Sequence, residues 1–319
     1  MGKIFYAPVE KGKVYVISPP APKTLYVIDS DLSSYTTYDI SGISIHYGYD
    51  NYLYIASSNV MKRDPRTLDL KDSATISDVI GDGDVMTDDG EYIYVMTDAW
   101  GVNGERAKIY KIRESDMSVA GVLQPGARSM FKSPRIDGGY VYFIEVYDRI
   151  PIRVPLSLTS YSEGSIATNL TYANALAVIG DYLFIGGQGT TGEGVIVKYS
   201  KSSLSIISSS SVSADPIVSL TSYGNRLFAL CSSSVGGALV MEINTSTLSP
   251  INGYDLRQKG MYDGRMIKYY DDYLYVISAK TTEGTTALNI ARLDLNMSDV
   301  SALTLSSTET PYGLAVPPS

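Results

Sequence analysis

The segment Leu274-Tyr275-Val276-Ile277 decides the fold, because the chain carries seven copies of its pattern. Each copy has an aliphatic residue first and an aromatic residue second. The copies begin at residues 14, 53, 93, 141, 183, 227 and 274, about 43 residues apart on average. One four-stranded blade of a β-propeller takes roughly 40–50 residues. Seven units of this length fill the 319 residues of the chain.

Each copy lies within a larger unit of four predicted strands. A Gly-, Asn- or Asp-rich turn such as Asp137-Gly138-Gly139 precedes most copies, and these residues adopt the positive φ angles of tight hairpins. A third apolar segment follows, such as Ile109 to Arg113, and then a more polar fourth, such as Ala74 to Val79. Helical periodicity is nearly absent. The sequence therefore predicts an all-β, seven-bladed β-propeller of four-stranded antiparallel blades, as one domain over residues 1–319.

The aromatic position of the pattern accounts for part of the 27 tyrosines. Strand alternation places the aromatic and aliphatic positions on opposite faces of a blade, and radial blades bury both faces. We expect these aromatic side chains to pack between blades, and an aromatic carbohydrate-binding stripe is the alternative. They form what we call the aromatic column: Tyr15, Tyr54, Tyr94, Tyr142, Phe184, Phe228 and Tyr275.

Composition excludes several classes of function. The formal charge of −8 and the pI near 4.8 argue against binding to nucleic acid or to an anionic membrane. The single cysteine, Cys231, excludes an internal disulfide, and the single histidine, His46, excludes multi-histidine metal sites. No apolar stretch is long enough to span a membrane. Residues 1–6 do not show the pattern of a signal peptide, so we expect none in this sequence.

Three segments carry a resemblance to a known family. Residues 310–319 (Thr-Pro-Tyr-Gly-Leu-Ala-Val-Pro-Pro-Ser) resemble the inner-strand signature of surface-layer, YVTN-type propellers, and Leu25–Asp29 and Leu274–Ser278 resemble other parts of that repeat. The resemblance implies a surface or adhesion protein that usually lacks catalysis, and it transfers no active site. From it we expect an extracellular or surface location in preference to a cytoplasmic one.

Two segments compete to complete the ring. Ile4 to Val9 precedes the first copy and looks like an inner strand, and so does Tyr312 to Val316. One blade has a single inner position. Either the C-terminal segment joins the N-terminal strands in one blade, or it packs as an extra strand or plug.

The loops that join second to third strands, and fourth to first strands of successive blades, share one face of a propeller, where binding sites are usual. Four residues on this face are candidates for binding a glycan or a polar protein surface: Trp100, Tyr147, Arg149 and Tyr262. The alternative for Trp100 is a packing cap over its own loop.

Basic residues also occur on or near predicted inner strands, which line the central channel: Arg128, Lys132, Arg135, Arg265 and Lys268. They would form a positive funnel for a small anion, or they would pair with carboxylates in the channel, which we favour. His46 lies on an inner strand too, and we expect a structural hydrogen bond there rather than a catalytic base.

The acidic run that contains Asp82 and Asp84 raises the question of calcium, which needs several converging oxygen ligands. The spacing of an EF-hand is missing, so we favour turn chemistry and expect no cofactor, with calcium as the alternative.

Three functional classes follow. The first is a non-enzymatic binding or structural module at a cell or virion-like surface. The second is an enzyme of lactonase, lyase or glycosidase type that uses the channel, and the third is an intracellular protein-interaction scaffold. Two close, buried carboxylates in the channel would count against the first class.

Overall fold

A computed structural model gives the fold. It describes residues 12–18, 24–40, 42–81, 83–98, 106–126, 129–233, 237–282, 285–306, 311 and 313–317. Seven antiparallel sheets form a ring of seven blades, as the sequence predicts. That a single domain takes in residues 1–319 stays a prediction.

We number the blades 1 to 7 and call their strands inner, second, third and outer. The inner strands are Gly313–Ala315, Ser44–Tyr47, Val79–Ile80 with Met86–Asp88, Phe131–Asp137, Leu170–Ile179, Ile217–Tyr223 and Tyr262–Tyr270. The second strands are Lys13–Ser18, Leu53–Ala56, Tyr92–Asp98, Tyr140–Glu145, Tyr182–Gly189, Arg226–Ser233 and Tyr273–Thr282. The third strands are Thr24–Asp29, Asn59–Arg63, Ile109–Arg113, Ile150–Pro155, Gly194–Ser200, Gly237–Ile243 and Thr285–Asp294. The outer strands are Tyr35–Asp39, Leu70–Thr75, Val119–Leu123, Ser162–Glu163, Ile206–Ser213, Pro250–Asp255 and Val300–Ser306.

One predicted strand lies elsewhere than expected. The outer strand of blade 2 is Leu70–Thr75, whereas the sequence suggested Ala74 to Val79. Val79–Ile80 instead pairs with Asp98 and Thr97 and begins the inner strand of blade 3. The apolar residues after Thr75 thus serve the next blade, because an inner strand is buried and an outer strand is largely exposed.

The C-terminal segment closes the ring. Gly313–Ala315 pairs antiparallel with Tyr15 to Ile17 and so supplies the inner strand of blade 1. The packing is close, because a Cβ on Gly313 would lie 2.9 Å from Ile45 Cγ2 of blade 2. The competing segment, residues 4–9, lies outside the described residues.

The aromatic column packs as the sequence predicts. All seven of its side chains are buried. Where hydroxyls are present they reach polar groups at the edge of the sheet: Tyr94 Oη donates to Leu156 O at 3.2 Å, and Tyr275 Oη donates to Ser30 O at 2.8 Å. Both acceptors belong to the next blade, so the column also links neighbouring blades.

A second repeated feature, which we call the inter-blade cations, was not expected from the sequence. Each of these side chains lies over an aromatic ring of its own blade and donates to a backbone carbonyl of the next blade. Lys198 Nζ, for example, lies 3.8 Å from the centroid of Tyr182 and 2.9 Å from Thr245 O. At the junction of blades 1 and 2, Tyr15 Oη contacts Pro65 O instead. The inter-blade cations are Lys62, Lys111, Arg153, Lys198, Arg226 and Arg292.

The turns between third and outer strands share a conformation that bulky residues rarely adopt. Each places a buried Leu or Met at positive φ, for instance Leu248 at 60°. In the same turn, Asn244 Oδ1 accepts the amide N–H groups of Ser246 and Thr247. Burial of the apolar side chain offsets the backbone strain. These residues are Leu32, Leu68, Met117, Leu158, Leu204, Leu248 and Met297.

Helix is confined, within the described ranges, to one 3₁₀ turn at Leu256–Lys259. In that part of the chain, no helix has the length and apolar character needed to cross a membrane.

Candidate functional site

Two cavities lie along the central channel. The upper cavity, of about 340 Å³, opens where outer strands lead into the next inner strands. The lower cavity, of about 450 Å³, opens at the hairpins between inner and second strands. The upper cavity is lined by Asp84, Lys132, Ser133, Asn174, Val218 and Arg265, among others. The lower cavity is lined by residues that include His46, Tyr47, Tyr49, Asp88, Arg135 and Tyr269.

Four consecutive inner strands bulge at the upper cavity. The pairing register shifts in blades 4, 5, 6 and 7, which leaves Ser133, Asn174, Val218 and Arg265 outside the ladder. All four line the upper cavity. A β-bulge turns a side chain away from the regular alternation of a strand, and bulges are common beside binding and active sites. The inner strands of blades 4 to 7 therefore form a half-ring of re-aimed side chains.

Hydrogen bonds between neighbouring blades hold this half-ring. Asn174 Nδ2 donates to Ile217 O at 3.0 Å, and Ile267 N donates to Ser219 Oγ at 3.2 Å. On the other side, Ser133 N donates to Asp84 O at 2.8 Å. Two of the bulged residues, Ser133 and Asn174, are thus held in place by hydrogen bonds, which favours binding because less conformational entropy is lost.

A group of three charged side chains, the channel triad, separates the two cavities. Asp84 Oδ2 lies 2.8 Å from Arg135 Nη1, and Asp84 Oδ1 lies 2.7 Å from Lys268 Nζ. Asp84 lines the upper cavity, whereas both cations line the lower one. Between 19 and 26% of each side chain is exposed. Arg135 and Lys268 are therefore ion-paired with a channel carboxylate, as we favoured.

An interruption of one strand brings Asp84 into the channel. The inner strand of blade 3 consists of Val79–Ile80 and Met86–Asp88, and the pairing with the second strand is interrupted between Gly81 and Val85, which both still bond to Met96. Desolvation acts to raise the pKa of Asp84, but the charges of Arg135 and Lys268 outweigh it and hold the pKa well below its usual range. The carboxylate therefore stays charged and bridges two cations rather than taking part in a turn. Asp82 lies outside the described residues.

Three other sequence candidates lie on the face that carries the upper opening, and of these Arg265 alone is among the residues that line the upper cavity. Tyr147 is 40% exposed and makes an edge-on contact with Tyr172, also 40% exposed, at 5.9 Å between ring centroids. Arg265 pairs with Asp263 at 2.7 Å. Arg149 Nη1 donates to Leu170 O of blade 5, a structural contact.

The remaining candidates are not gathered at the cavity. Tyr262 begins the inner strand of blade 7, half-buried, and is not among the residues that line either cavity. Trp100 and Arg128 lie outside the described residues. A binding role for each sequence candidate stays a prediction.

His46 and Asp88 form a pair in the wall of the lower cavity. His46 Nε2 lies 2.8 Å from Asp88 Oδ1, and Tyr49 N donates to Asp88 Oδ2 at 2.7 Å. The histidine thus has the structural hydrogen bond that the sequence suggested.

A buried carboxyl pair lies at the same place. Glu114, only 3% exposed, contacts Asp88, which is 4% exposed, and neither Glu114 oxygen has a hydrogen-bond acceptor or donor of ordinary geometry among the described residues. Burial first, then the charges of Asp50 and Asp88, raise the pKa of Glu114 to about 9. Two close, buried carboxyl groups count against the non-enzymatic binding class if both face the channel. Only Asp88 lines the channel, however, and a catalytic carboxyl pair flanks its substrate with both groups.

The acidic and sulfur-containing side chains do not gather into a cation site in the part of the chain that the structure describes. Among the described residues, no three His, Cys, Asp or Glu side chains are grouped so as to hold a metal ion. Burial raises the pKa of the Cys231 thiol to about 12, so it is protonated at neutral pH.

Comparison with known proteins supports the fold. No protein-family model matches the sequence, and no curated protein matches it. BamB from Moraxella catarrhalis is similar in structure, with 14% identity and a TM-score of 0.57 over 87% of this chain and 92% of that one. U3-55K has 7% identity and a TM-score of 0.69 over 91% and 97% of the two chains. Dihydro-heme d1 dehydrogenase NirN has 11% identity and a TM-score of 0.62 over 97% and 76%. At these identities the similarity concerns the fold alone.

Proposed function

We propose that this propeller is a non-enzymatic interaction module that binds a polar segment of a protein partner at the upper cavity. The observation that carries the proposal is the run of four bulged inner strands. Ser133, Asn174 and Arg265 offer hydroxyl, amide and guanidinium groups on one side of the opening, and Val218 offers an apolar contact. A partner side chain or turn that enters the cavity would meet hydrogen-bonding groups, of which Ser133 and Asn174 are already held in place.

The surroundings of the cavity support a protein partner. Tyr147 and Tyr172 present exposed rings on the face that carries the opening, outside the cavity lining, and tyrosine is enriched in protein interfaces. The channel triad forms a fixed floor, so a partner group would rest on the surface of the triad rather than pass through the ring. Binding residues are often carried on loops that such a scaffold positions.

We propose further that the protein is displayed at a cell or particle surface. The support is the resemblance of its repeats to surface-layer propellers. Immunogold labelling of intact source cells or particles tests this location. Labelling that needs permeabilised cells would favour the intracellular scaffold.

Site-specific photo-cross-linking tests the binding face. A benzophenone amino acid replaces Tyr147 in one variant and Tyr161 of blade 4, which is equally exposed, in another. We expect the first variant to capture a discrete partner from the source extract and the second to capture little.

Two further substitutions locate the contact. Asn174→Leu and Arg265→Ala, each combined with the cross-linker at Tyr147, should reduce capture about tenfold, the effect of losing one interface contact of about 1.4 kcal/mol. Ser209→Leu on the outer strand of blade 5 is the control. Thermal unfolding checks that each variant folds. Capture that survives both substitutions would show that the partner binds elsewhere.

A further inference from the structure

The lower cavity is a second site of different character. Its wall carries three tyrosines, of which Tyr49 is 59% exposed. The Tyr269 ring stacks on Tyr223 at 4.3 Å between centroids and 23° between planes, so its orientation is fixed. Tyr47 packs against the buried Tyr15 at 5.7 Å. Tyr47 and Tyr269 thus contact neighbouring blades, whereas Tyr49 is largely exposed, and all three tyrosines line the lower cavity outside the aromatic column.

Polar side chains line the lower cavity together with the tyrosines. Several of the charged ones are already ion-paired. Arg135 and Lys268 both pair with Asp84, and His46 Nε2 lies 2.8 Å from Asp88 Oδ1. A charged ligand would have to compete with these ion pairs.

Asp89, at the same opening, is bonded as well. Its Oδ1 accepts the amide N–H groups of Tyr92 at 2.7 Å and of Glu91 at 3.0 Å, and its Oδ2 accepts the hydroxyl of Tyr94 at 3.0 Å. An uncharged ligand with many hydroxyl groups could use the remaining lone pairs of Asp88 and Asp89 and the N–H groups of Arg135 without breaking any ion pair.

A pyranose sugar has this combination of properties. Its C–H groups form an apolar face that stacks on an aromatic ring, while its hydroxyls point outward to planar polar side chains. The volume of about 450 Å³ lies within the range of small-molecule sites, about 300–1,000 Å³. We infer that the lower cavity binds an uncharged pyranose, stacked on Tyr49 and Tyr269 and hydrogen-bonded by Asp88, Asp89 and Arg135. This site is separate from the proposed partner site, because the channel triad lies between them.

The single histidine makes the test direct. The imidazole C–H signals of His46 in ¹H NMR report on this cavity alone. The probes are the methyl glycosides of glucose, galactose, mannose and N-acetylglucosamine, and oligosaccharides of the same sugars. We expect at least one probe to shift the His46 signals in a saturable manner. Equal affinity for a glycoside and its oligosaccharide would identify a free sugar as the ligand, and tighter binding of the oligosaccharide would identify a glycan chain.

Matched tyrosine variants locate the contact. Tyr49→Ala should weaken binding about tenfold, as expected for loss of a stacked ring. Tyr182→Ala removes an exposed tyrosine of the same face that does not line the cavity, and should leave affinity unchanged. Asn174→Leu in the upper cavity should also have no effect, which separates this result from that for the partner site. Unshifted His46 signals with every probe, or binding unchanged in Tyr49→Ala, would overturn the inference.

Discussion

Asp84 organises the channel at the scale of single residues. Its carboxylate pairs with cations from two inner strands that lie on other blades, and its backbone carbonyl accepts Ser133 N. Removing its charge would leave Arg135 and Lys268 next to each other without compensation. Such a loss is costly when the groups are largely buried.

We therefore expect Asp84→Asn to lower the free energy of unfolding by about 3 kcal/mol. Urea denaturation followed by tyrosine fluorescence measures it. Asp263→Asn is the control, because its partner Arg265 is half-exposed and such pairs contribute under about 1 kcal/mol. Adding Lys268→Met to Asp84→Asn should recover part of the loss. Equal effects of the two Asp variants would refute this role of the triad.

Glu114 should make the stability of the protein depend on pH. Its pKa is 4.5 in the unfolded chain and about 9 in the folded protein. Between these values the folded state keeps a proton that the unfolded state releases, so stability should decrease as pH rises, by up to about 1.4 kcal/mol per pH unit. Asp84 acts in the opposite sense, because its lowered pKa means that stability is lost as the pH falls below about 4.

Glu114→Gln should flatten the slope between pH 5 and 8 and stabilise the protein at pH 8, because the amide has the shape of the protonated carboxyl group without its ionisation. Chemical denaturation at several pH values measures this. Glu163→Gln, on the exposed outer strand of blade 4, should keep the slope of the unmodified protein. The same slope in Glu114→Gln would mean that another group is responsible.

At the scale of elements, the sequence predicted what each blade buries on its own. The apolar alternation of the second strands gave their positions, since every blade must bury both faces. The inter-blade cations do have a signal in the sequence. A basic residue recurs at the third position of an apolar third-strand segment in Val60-Met61-Lys62, Ile109-Tyr110-Lys111 and Ile196-Val197-Lys198, opposite the aromatic column.

The inter-blade cations should stabilise the ring, and Lys198→Met tests this. Methionine keeps the apolar part of the side chain but removes the charged hydrogen bond to Thr245 O and the contact with the Tyr182 ring. A loss of about 1–3 kcal/mol is expected in thermal or urea unfolding. Lys71→Met serves as comparison, since Lys71 is exposed and lies 3.8 Å from Asp64. Similar stabilities of the two variants would argue against a role for these cations.

The bulges and the channel triad could not be read from the sequence. The four bulged side chains that line the upper cavity share no residue type, so they leave no repeated pattern. Asp84 and Lys268 are 184 residues apart, and only closure of the ring brings them together. The sequence did point to Arg135 and Arg265 as channel residues, because they lie on inner strands. It could not show which carboxylates they would meet.

For the whole molecule, the ring unites residues from both ends of the sequence. Gly313–Ala315 completes blade 1, and Arg292 of blade 7 donates to Ser30 O of blade 1 at 3.3 Å. The closed ring holds the inner strands side by side, and this arrangement creates the half-ring at one end of the channel and the tyrosine-lined cavity at the other.

Hydrogen exchange of the protein with its cross-linked partner tests the central claim most directly, which is that the upper ends of the inner strands of blades 4 to 7 form the binding site. Mass spectrometry should show slower exchange around Ser133, Asn174, Val218 and Arg265 in the complex, with the outer strands unchanged. Slower exchange confined to the outer strands or to the lower cavity, with the four bulges unaffected, would contradict it.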